Sequence, residues 1–167
     1  MTDQLGYRGR IAIVVPSTNT SCQPESEMLR PPGVTNHTGR ISIKERPLTT
    51  EQAFMEHVQA MRDGMRAGID QVMTCQPTHV IMGVALEAFW GGVKAADELQ
   101  AELAQRSGVG VSMGSTATVA ALRALGAKNI AVLTPHQPRG DEQVRNYFDE
   151  AGFPVKRLIG MKCPSPV

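Results

Sequence analysis

Apolar runs alternate along this chain with segments of helical periodicity, and this alternation predicts an α/β fold. The first apolar run, Ile11 to Val15, predicts a buried strand, and "VIMGVAL" predicts another strand that ends near Gly83. Continuous apolar strands are typical of a parallel sheet that is covered on both faces. We therefore expect βαβ units in which helices flank a parallel sheet.

The longest helix is predicted from a single apolar stripe. Its apolar residues recur at spacings of three and four, namely Phe54, Val58, Met61, Met65, Ile69 and Val72. Thr49, with Gln52 three residues later, predicts a capping box at its start. Further helices are predicted from Pro24 onward, over residues 92–106 with Gly108 as the stop, over "STATVAALRAL" with Gly126 as the stop, and up to about Ala151.

The remaining strands are shorter and more polar. They are predicted over "GRISIKE", where Ile41 and Ile43 alternate with polar residues, and over "VGVSM", "NIAVLT" and "VKRLIGM". From Ser115 the order of strand and helix starts again, but the strands that follow are too few for an independently stable sheet. We predict a first α/β domain over residues 1–114 and the beginning of a second, incomplete one over residues 115–167.

Composition excludes several classes of function. The 167 residues carry a net charge of +1, which provides neither a basic field for nucleic acid nor a polybasic anchor for a membrane. The apolar runs are too short to span a bilayer, and the N-terminus lacks an apolar signal core, so we expect a cytoplasmic protein. Cys22, Cys75 and Cys163 fit neither a disulfide framework nor a zinc site, and we expect three free thiols and no bound metal.

Candidate chemistry lies at the carboxyl ends of the predicted strands, where ligands bind in open parallel sheets. The residues found there are Ser17, Asn19, Thr20, Gly83, Val84, Ala85, Ser115, Thr116, Thr134 and His136. Most of these turns offer hydroxyl, amide or backbone donors without a fixed positive charge, which suits a small carboxylate. No GxGxxG, Walker or HExxH motif supports a nucleotide or a zinc-protease function.

The same residues also have purely structural interpretations. Ser, Thr and Asn favour turns and helix caps for local reasons, so "STNT" over residues 17–20 is by itself more typical of a turn. Phe89 and Trp90 are more typical of packing than of a stacking platform. His136 is as often structural or solvated as functional.

Taken in order, the turns resemble those of a known superfamily. "IVVPSTNT", "IMGVALEAFWGG", "STATVAALRALGAKNIAVLTPH" and "KCPSP" are similar to motifs of the aspartate/glutamate racemase superfamily, in its branch of arylmalonate decarboxylases and maleate cis-trans isomerases. The resemblance implies two pseudo-symmetric Rossmann-like domains with the active site in the cleft between them. It also implies cofactor-free chemistry at the carbon beside a carboxylate, with one or two cysteines handling the proton or adding to the substrate.

The resemblance assigns roles to some residues and leaves others in doubt. Asn19, with Ser17 and Thr20, would bind a substrate carboxylate. Gly83 matches the first catalytic cysteine of racemases and maleate isomerases, a position that is also glycine in arylmalonate decarboxylases. Val84 and Ala85 stand where those decarboxylases have hydroxyl residues, and His136 stands at the position of a family tyrosine.

These matches favour a cofactor-independent enzyme that acts on a small dicarboxylic acid, with decarboxylation ahead of isomerisation because of Gly83. The alternatives are a maleate isomerase or racemase in which one cysteine suffices, and a non-catalytic carboxylate-binding protein, which Val84 and Ala85 favour. We expect Cys22 to point along a short helix and Cys75 to lie at the far end of its strand, so that the chain alone is inactive. We also expect self-association into homo-oligomers through an exposed apolar edge.

Overall fold

The computed structural model describes residues 3–44 and 51–163, and its elements follow the predicted α/β order. The first elements are β1 (Gly9–Pro16), α1 (Cys22–Met28), β2 (Val34–Ile41), α2 (Glu51–Met73) and β3 (His79–Met82). A 3-10 turn (Leu86–Ala88) precedes α3 (Gly92–Ser107), β4 (Gly110–Met113), α4 (Gly114–Ala124), β5 (Ile130–Thr134), α5 (Pro138–Glu150) and β6 (Val155–Gly160).

The strands form two sheets, and the pairs β1–β2, β1–β3 and β5–β6 are parallel. One sheet has the order β2-β1-β3-β4, and β1 pairs in parallel with both β2 and β3. The other sheet contains β5 and β6, which are also parallel. The predicted fold class, a parallel sheet flanked by helices, is confirmed.

The chain divides into two compact units. Unit 1 contains residues 1–84 and 101–112, and unit 2 contains residues 85–100 and 113–167. One division between them falls inside α3, so that this helix begins in unit 2 and ends in unit 1. Residues 115–167, the predicted second domain, belong to unit 2 together with the segment 85–100.

The core of unit 1 is built on the apolar stripe of α2, as predicted. The buried residues of this stripe are Val58, Met61, Met65, Ile69 and Val72. Gly68 lets the helix approach the sheet closely, because a Cβ at this position would lie 2.6 Å from Cγ1 of Val14 in β1. The side chain of Phe54 and the predicted cap residue Thr49 lie outside the part of the chain that the structure describes.

The core of unit 2 is aromatic. The ring of Phe89 lies 5.2 Å from that of Tyr147 and 5.6 Å from that of Phe148, and α5 carries both of these partners. Phe89 is therefore a packing residue, as its structural interpretation predicts. Trp90 is half-buried, and the guanidinium of Arg139 lies 5.2 Å from its ring centroid.

One face of the β5–β6 sheet carries apolar side chains that are exposed. Leu133 of β5 is opposite Ile159 of β6, and their side chains are 67% and 47% exposed. Met161, just past β6, is 55% exposed. The intervening residues Val132 and Leu158 pack against the buried cluster of unit 2, so the two faces of this sheet differ.

Two predicted boundaries are wrong. Strand β2 covers Val34–Ile41 rather than "GRISIKE", so Ile43 follows the strand instead of lying inside it. Thr35, Asn36 and His37 interrupt any apolar pattern in β2. Backbone pairing with β1 sustains the strand nevertheless, because β2 lies at the edge of its sheet. Helix α1 starts at Cys22, ahead of Pro24.

The predicted helix stops are confirmed at two glycines. Gly108 and Gly126 have φ angles of 69° and 66°, which side chains with a Cβ rarely adopt, and they follow α3 and α4. Among the described residues, no helix is both long enough and apolar enough to cross a membrane.

Candidate functional site

The loop after β1 is attached to the segment that follows β2. The backbone N–H of Ser17 donates to the carbonyl of Ile41 at 2.7 Å, and the Ser17 hydroxyl oxygen accepts from the N–H of Ile43 at 3.0 Å. Since the oxygen acts here as an acceptor, the hydroxyl proton of Ser17 stays available to a ligand. The side chains of Ser17 and Thr20 are both exposed.

Asn19 shapes the turn between β1 and α1. Its Oδ1 accepts the N–H groups of Ser21 at 3.1 Å and of Cys22 at 2.8 Å, while its own N–H donates to the carbonyl of Pro16 at 3.0 Å. These two donors identify Oδ1 as the atom that faces the helix, so the Nδ2 amide is the part of the side chain left to donate to a ligand.

Arg40 is a charged residue that contacts this loop and that the sequence reasoning missed. It lies at the carboxyl end of β2, opposite Val15 of β1, and its guanidinium reaches the loop of the neighbouring strand. Its Nη1 donates to the carbonyl of Asn19 at 2.5 Å, and its Nη2 donates to Oε1 of Gln23 at 2.7 Å. The misplaced β2 concealed it, because a strand over "GRISIKE" puts Arg40 near the amino end.

Gly83 lies beside the end of β1 and has no room for a side chain. Its N–H donates to the carbonyl of Val14 at 2.8 Å. A Cβ added to Gly83 would lie 2.6 Å from Cγ1 of Val15 and 3.3 Å from Sγ of Cys22. The Cys22 thiol therefore lies near Gly83, a neighbour that the sequence did not predict. Cys22 is the first residue of α1, and its N–H donates to Oδ1 of Asn19 at 2.8 Å.

The two residues after Gly83 have different environments. Val84 is buried, and Ala85 is exposed at the start of the 3-10 turn. Neither side chain has a polar atom, so any contact with a carboxylate is limited to their backbone.

In unit 2, Thr134 is buried and its hydroxyl proton is already used in a hydrogen bond. Its Oγ1 donates to Oδ1 of Asp141 in the first turn of α5, and it accepts the N–H of His136 at 3.2 Å. A hydroxyl has one proton, so Thr134 in this state has none to offer to a substrate. A Cβ at Gly160 would overlap the Asp141 carboxylate, which accounts for glycine at the end of β6.

His136 follows β5 and is half-buried. Burial lowers its pKa below the usual 6.5, although the charge of Asp141 acts in the opposite direction. This direction favours the neutral imidazole at pH 7, which can both donate and accept a hydrogen bond.

Ser115 and Thr116 lie in the first turn of α4, directly after Gly114. Ser115 is completely buried, and its Oγ makes no hydrogen bond of ordinary geometry within the described part of the chain. Burial raises the pKa of Tyr147, and the nearby Ser115 hydroxyl opposes that increase. The hydroxyl of Thr116 donates to the carbonyl of Met113 at 3.3 Å.

The other two cysteines lie elsewhere. The thiol of Cys75 donates to the carbonyl of Val72 at 3.0 Å in the turn after α2, and Cys163 is exposed after β6. Residues 3–44 and 51–163 contain no group of three His, Cys, Asp or Glu side chains that could hold a metal ion.

The chain matches one protein family along nearly its whole length. The family model described as arylmalonate decarboxylase matches residues 11–165. This chain belongs to the arylmalonate decarboxylase family. The resemblance drawn from the strand-end motifs is therefore confirmed at the level of the family.

The similar proteins of known activity are longer than this chain. Maleate isomerase from Nocardia farcinica is 24% identical over 157 residues, which are 90% of this chain and 61% of that protein. The solved structure of Nocardia farcinica maleate cis-trans isomerase bound to TRIS has a TM-score of 0.81 at 21% identity, over 93% of this chain and 64% of that one. A crystal structure of arylmalonate decarboxylase has a TM-score of 0.69 at 16% identity, over 92% and 64%. The chain thus spans less than two thirds of these relatives, and their structures share its fold.

Proposed function

We propose that this chain belongs to a cofactor-independent enzyme that acts on a small dicarboxylic acid, most simply by decarboxylation. One observation carries the proposal: the amide of Asn19 and the bare Gly83 follow neighbouring parallel strands of one sheet, at their carboxyl ends. The family match supports the substrate class, since arylmalonates and maleate are the compounds named for its relatives.

The β1 loop would bind one carboxylate of the substrate. The hydroxyl proton of Ser17, the Nδ2 amide of Asn19 and the hydroxyl of Thr20 are the donors proposed for it. When a malonate loses carbon dioxide, the electrons of the broken C–C bond move onto the remaining carboxylate as an enediolate. The hydrogen bonds within the loop already fix these donors, so the donors stabilise that charge without reorganising.

Gly83 favours decarboxylation over reactions that need two thiols. Decarboxylation requires one proton, delivered to the carbon that lost carbon dioxide, whereas proton exchange on both faces requires two groups. The lack of room for a Cβ at Gly83 supports the one-thiol chemistry. Cys22 carries the thiol that lies near Gly83, so it is the first candidate to test as the proton donor.

The roles predicted for residues of unit 2 stay part of this proposal. Ala85 and Thr116 are proposed substrate contacts, and His136 is proposed as a neutral hydrogen-bond donor. Ser115 is completely buried and is left out of the proposal. Thr134 enters only through its support of His136, because its single proton goes to Asp141.

The experiment is to incubate the purified chain with phenylmalonate and, separately, with maleate. Carbon dioxide release from phenylmalonate supports the proposal if Cys22→Ser abolishes it and Cys75→Ser, the matched thiol control, does not. Binding of either acid by calorimetry without any turnover would support the non-catalytic alternative. Failure to bind either acid at millimolar concentration would contradict the substrate class itself.

Maleate cis-trans isomerisation is the second candidate. The similarity of the sequence to the maleate isomerase of Nocardia farcinica favours it. Formation of fumarate from maleate, without carbon dioxide from phenylmalonate, would select this activity.

A further inference from the structure

The β1 loop is held by one guanidinium as well as by its own backbone. Arg40 donates through Nη1 to the carbonyls of Asn19 at 2.5 Å and Pro16 at 3.4 Å, and through Nη2 to Gln23 at 2.7 Å. One side chain on β2 thereby connects the end of β1, the loop and the start of α1. A planar fork of donors can bridge such acceptors, whereas an ammonium group cannot match this geometry.

These contacts fix Asn19 on several sides at once. Its N–H, its carbonyl and its Oδ1 are all hydrogen-bonded, the carbonyl to Arg40 and the others within the turn. The only polar group of Asn19 without a partner among the described residues is the Nδ2 amide. The orientation of this amide therefore depends on the peptide that Arg40 holds.

Arg40 also changes the electrostatics of the loop. The carbonyls of Pro16 and Asn19 carry partial negative charge, which opposes the approach of a carboxylate to the same turn. The Arg40 guanidinium donates to both carbonyls and offsets that charge, and the Nδ2 amide of Asn19 stays free for a ligand.

We propose that Arg40 is a positioning residue for carboxylate binding, which acts through Asn19. This inference rests on the proposed function, in which Asn19 binds a substrate carboxylate. It predicts that removing the guanidinium lowers the order of the loop and weakens carboxylate binding at the site.

The first test measures the free protein, so that it does not depend on any ligand. Amide hydrogen exchange of Ser21 and Cys22 reports their hydrogen bonds to Asn19 Oδ1. Arg40→Gln should lower their protection about ten-fold. Arg10→Gln is the matched control, since the Arg10 guanidinium also donates to a backbone carbonyl, that of Gln76 at 2.9 Å, but lies at the opposite end of β1. Unchanged protection in Arg40→Gln would overturn the positioning role, whether or not the chain binds maleate.

The second test is a double-mutant cycle with maleate as the probe, followed by calorimetry. Arg40→Gln alone should weaken binding about ten-fold, and it should weaken binding little further in an Asn19→Ala background. Additive losses would show that Arg40 does not act through Asn19 and would overturn the inference.

Arg40→Lys separates position from charge. Lysine keeps the charge but lacks the fork, so we expect it to resemble Arg40→Gln in both measurements. Full recovery by lysine would contradict positioning and assign the effect to charge. If the unsubstituted chain binds no maleate while Arg40→Gln still loses protection, the proposed function fails and the positioning of Asn19 by Arg40 stands.

Discussion

Asn19 combines a structural role with the binding role proposed for it, and each of its two polar side-chain atoms serves one of these roles. Oδ1 accepts the backbone N–H groups that begin α1, and Nδ2 is left for a ligand. Sequence reasoning set these interpretations against each other, as turn former or carboxylate contact. The geometry allows both, and substitutions can separate them.

We predict that Asn19→Asp separates the turn hydrogen bonds of this residue from its proposed role in binding. Aspartate retains an oxygen for the N–H groups of Ser21 and Cys22, so the free energy of unfolding should stay within about 0.5 kcal/mol. It removes the amide donor and adds a negative charge, so maleate binding should weaken by at least about 2 kcal/mol.

Asn19→Ala is the comparison variant. It should lose about 0.5 to 1.5 kcal/mol of stability, because the hydrogen bonds from Ser21 and Cys22 disappear with the side chain. Chemical denaturation and calorimetry on both variants give the answer. Undiminished maleate binding by Asn19→Asp would refute the proposed contact.

His136 should make stability depend on pH. Its pKa in the folded protein lies below the usual 6.5 because of burial, so the unfolded chain binds a proton first as the pH falls. The free energy of unfolding should therefore decrease from pH 6.5 downward, until the pH passes the lower pKa of the folded state. Urea denaturation at pH 7.5 and pH 5.5 measures the decrease, and His136→Gln should make it smaller. An equal decrease in the variant would assign it to other groups.

Among the elements of unit 2, β5 and α5 are joined by the hydrogen bond from Thr134 to Asp141. Thr134→Val keeps the shape of the side chain but leaves the carboxylate and the N–H of His136 without this partner. We expect a loss of about 1 to 3 kcal/mol in the free energy of unfolding. Thr134→Ser, which keeps the hydroxyl, should retain most of the stability. Equal losses in the two variants would show that the methyl group matters rather than the hydrogen bond.

In unit 1, α2 lies against the sheet where Gly68 faces Val14. Two effects oppose each other in Gly68→Ala. Alanine is favoured over glycine inside a helix by about 0.5 to 1 kcal/mol, whereas overpacking a buried site costs about 1 to 3 kcal/mol. Because the added Cβ would lie 2.6 Å from Val14 Cγ1, we expect net destabilisation.

The sign should reverse in a Val14→Ala background, where the space is available. Thermal unfolding of the four proteins, followed by circular dichroism, measures this cycle. Destabilisation that persists after Val14→Ala would place the conflict elsewhere.

The elements that could be predicted from the sequence are those with strong local signals. The stripe of α2 and the stops at Gly108 and Gly126 depend on neighbouring residues alone, and they appear where expected. Edge strand β2 could not be located this way, because backbone pairing with β1 sustains it without an apolar pattern. That single error hid Arg40 from the candidate site.

The position of the Cys22 thiol illustrates a second limit. A residue at the start of a short helix can point in several directions, and the direction depends on the conformation of the preceding turn. Here Oδ1 of Asn19 accepts the N–H of Cys22, and the sulfur lies near Gly83, which is distant in sequence. No local pattern carries this information.

On the scale of the whole molecule, self-association stays a prediction, now with a defined surface. Leu133 and Ile159 lie opposite each other on the exposed face of β5 and β6. If this face drives association, the sedimentation coefficient should rise with protein concentration, and Leu133→Lys should remove the increase. Concentration-dependent sedimentation that Leu133→Lys leaves unaltered would assign association to another surface.

The same exposed face affects how the folding of this protein can be followed. Dyes that fluoresce in apolar surroundings bind to exposed apolar side chains, and in most proteins these become accessible only on melting. Here Leu133, Ile159 and Met161 are available in the folded state. A dye-based melting curve of this chain would start from a high signal and show little rise, so circular dichroism is the safer measure of its unfolding.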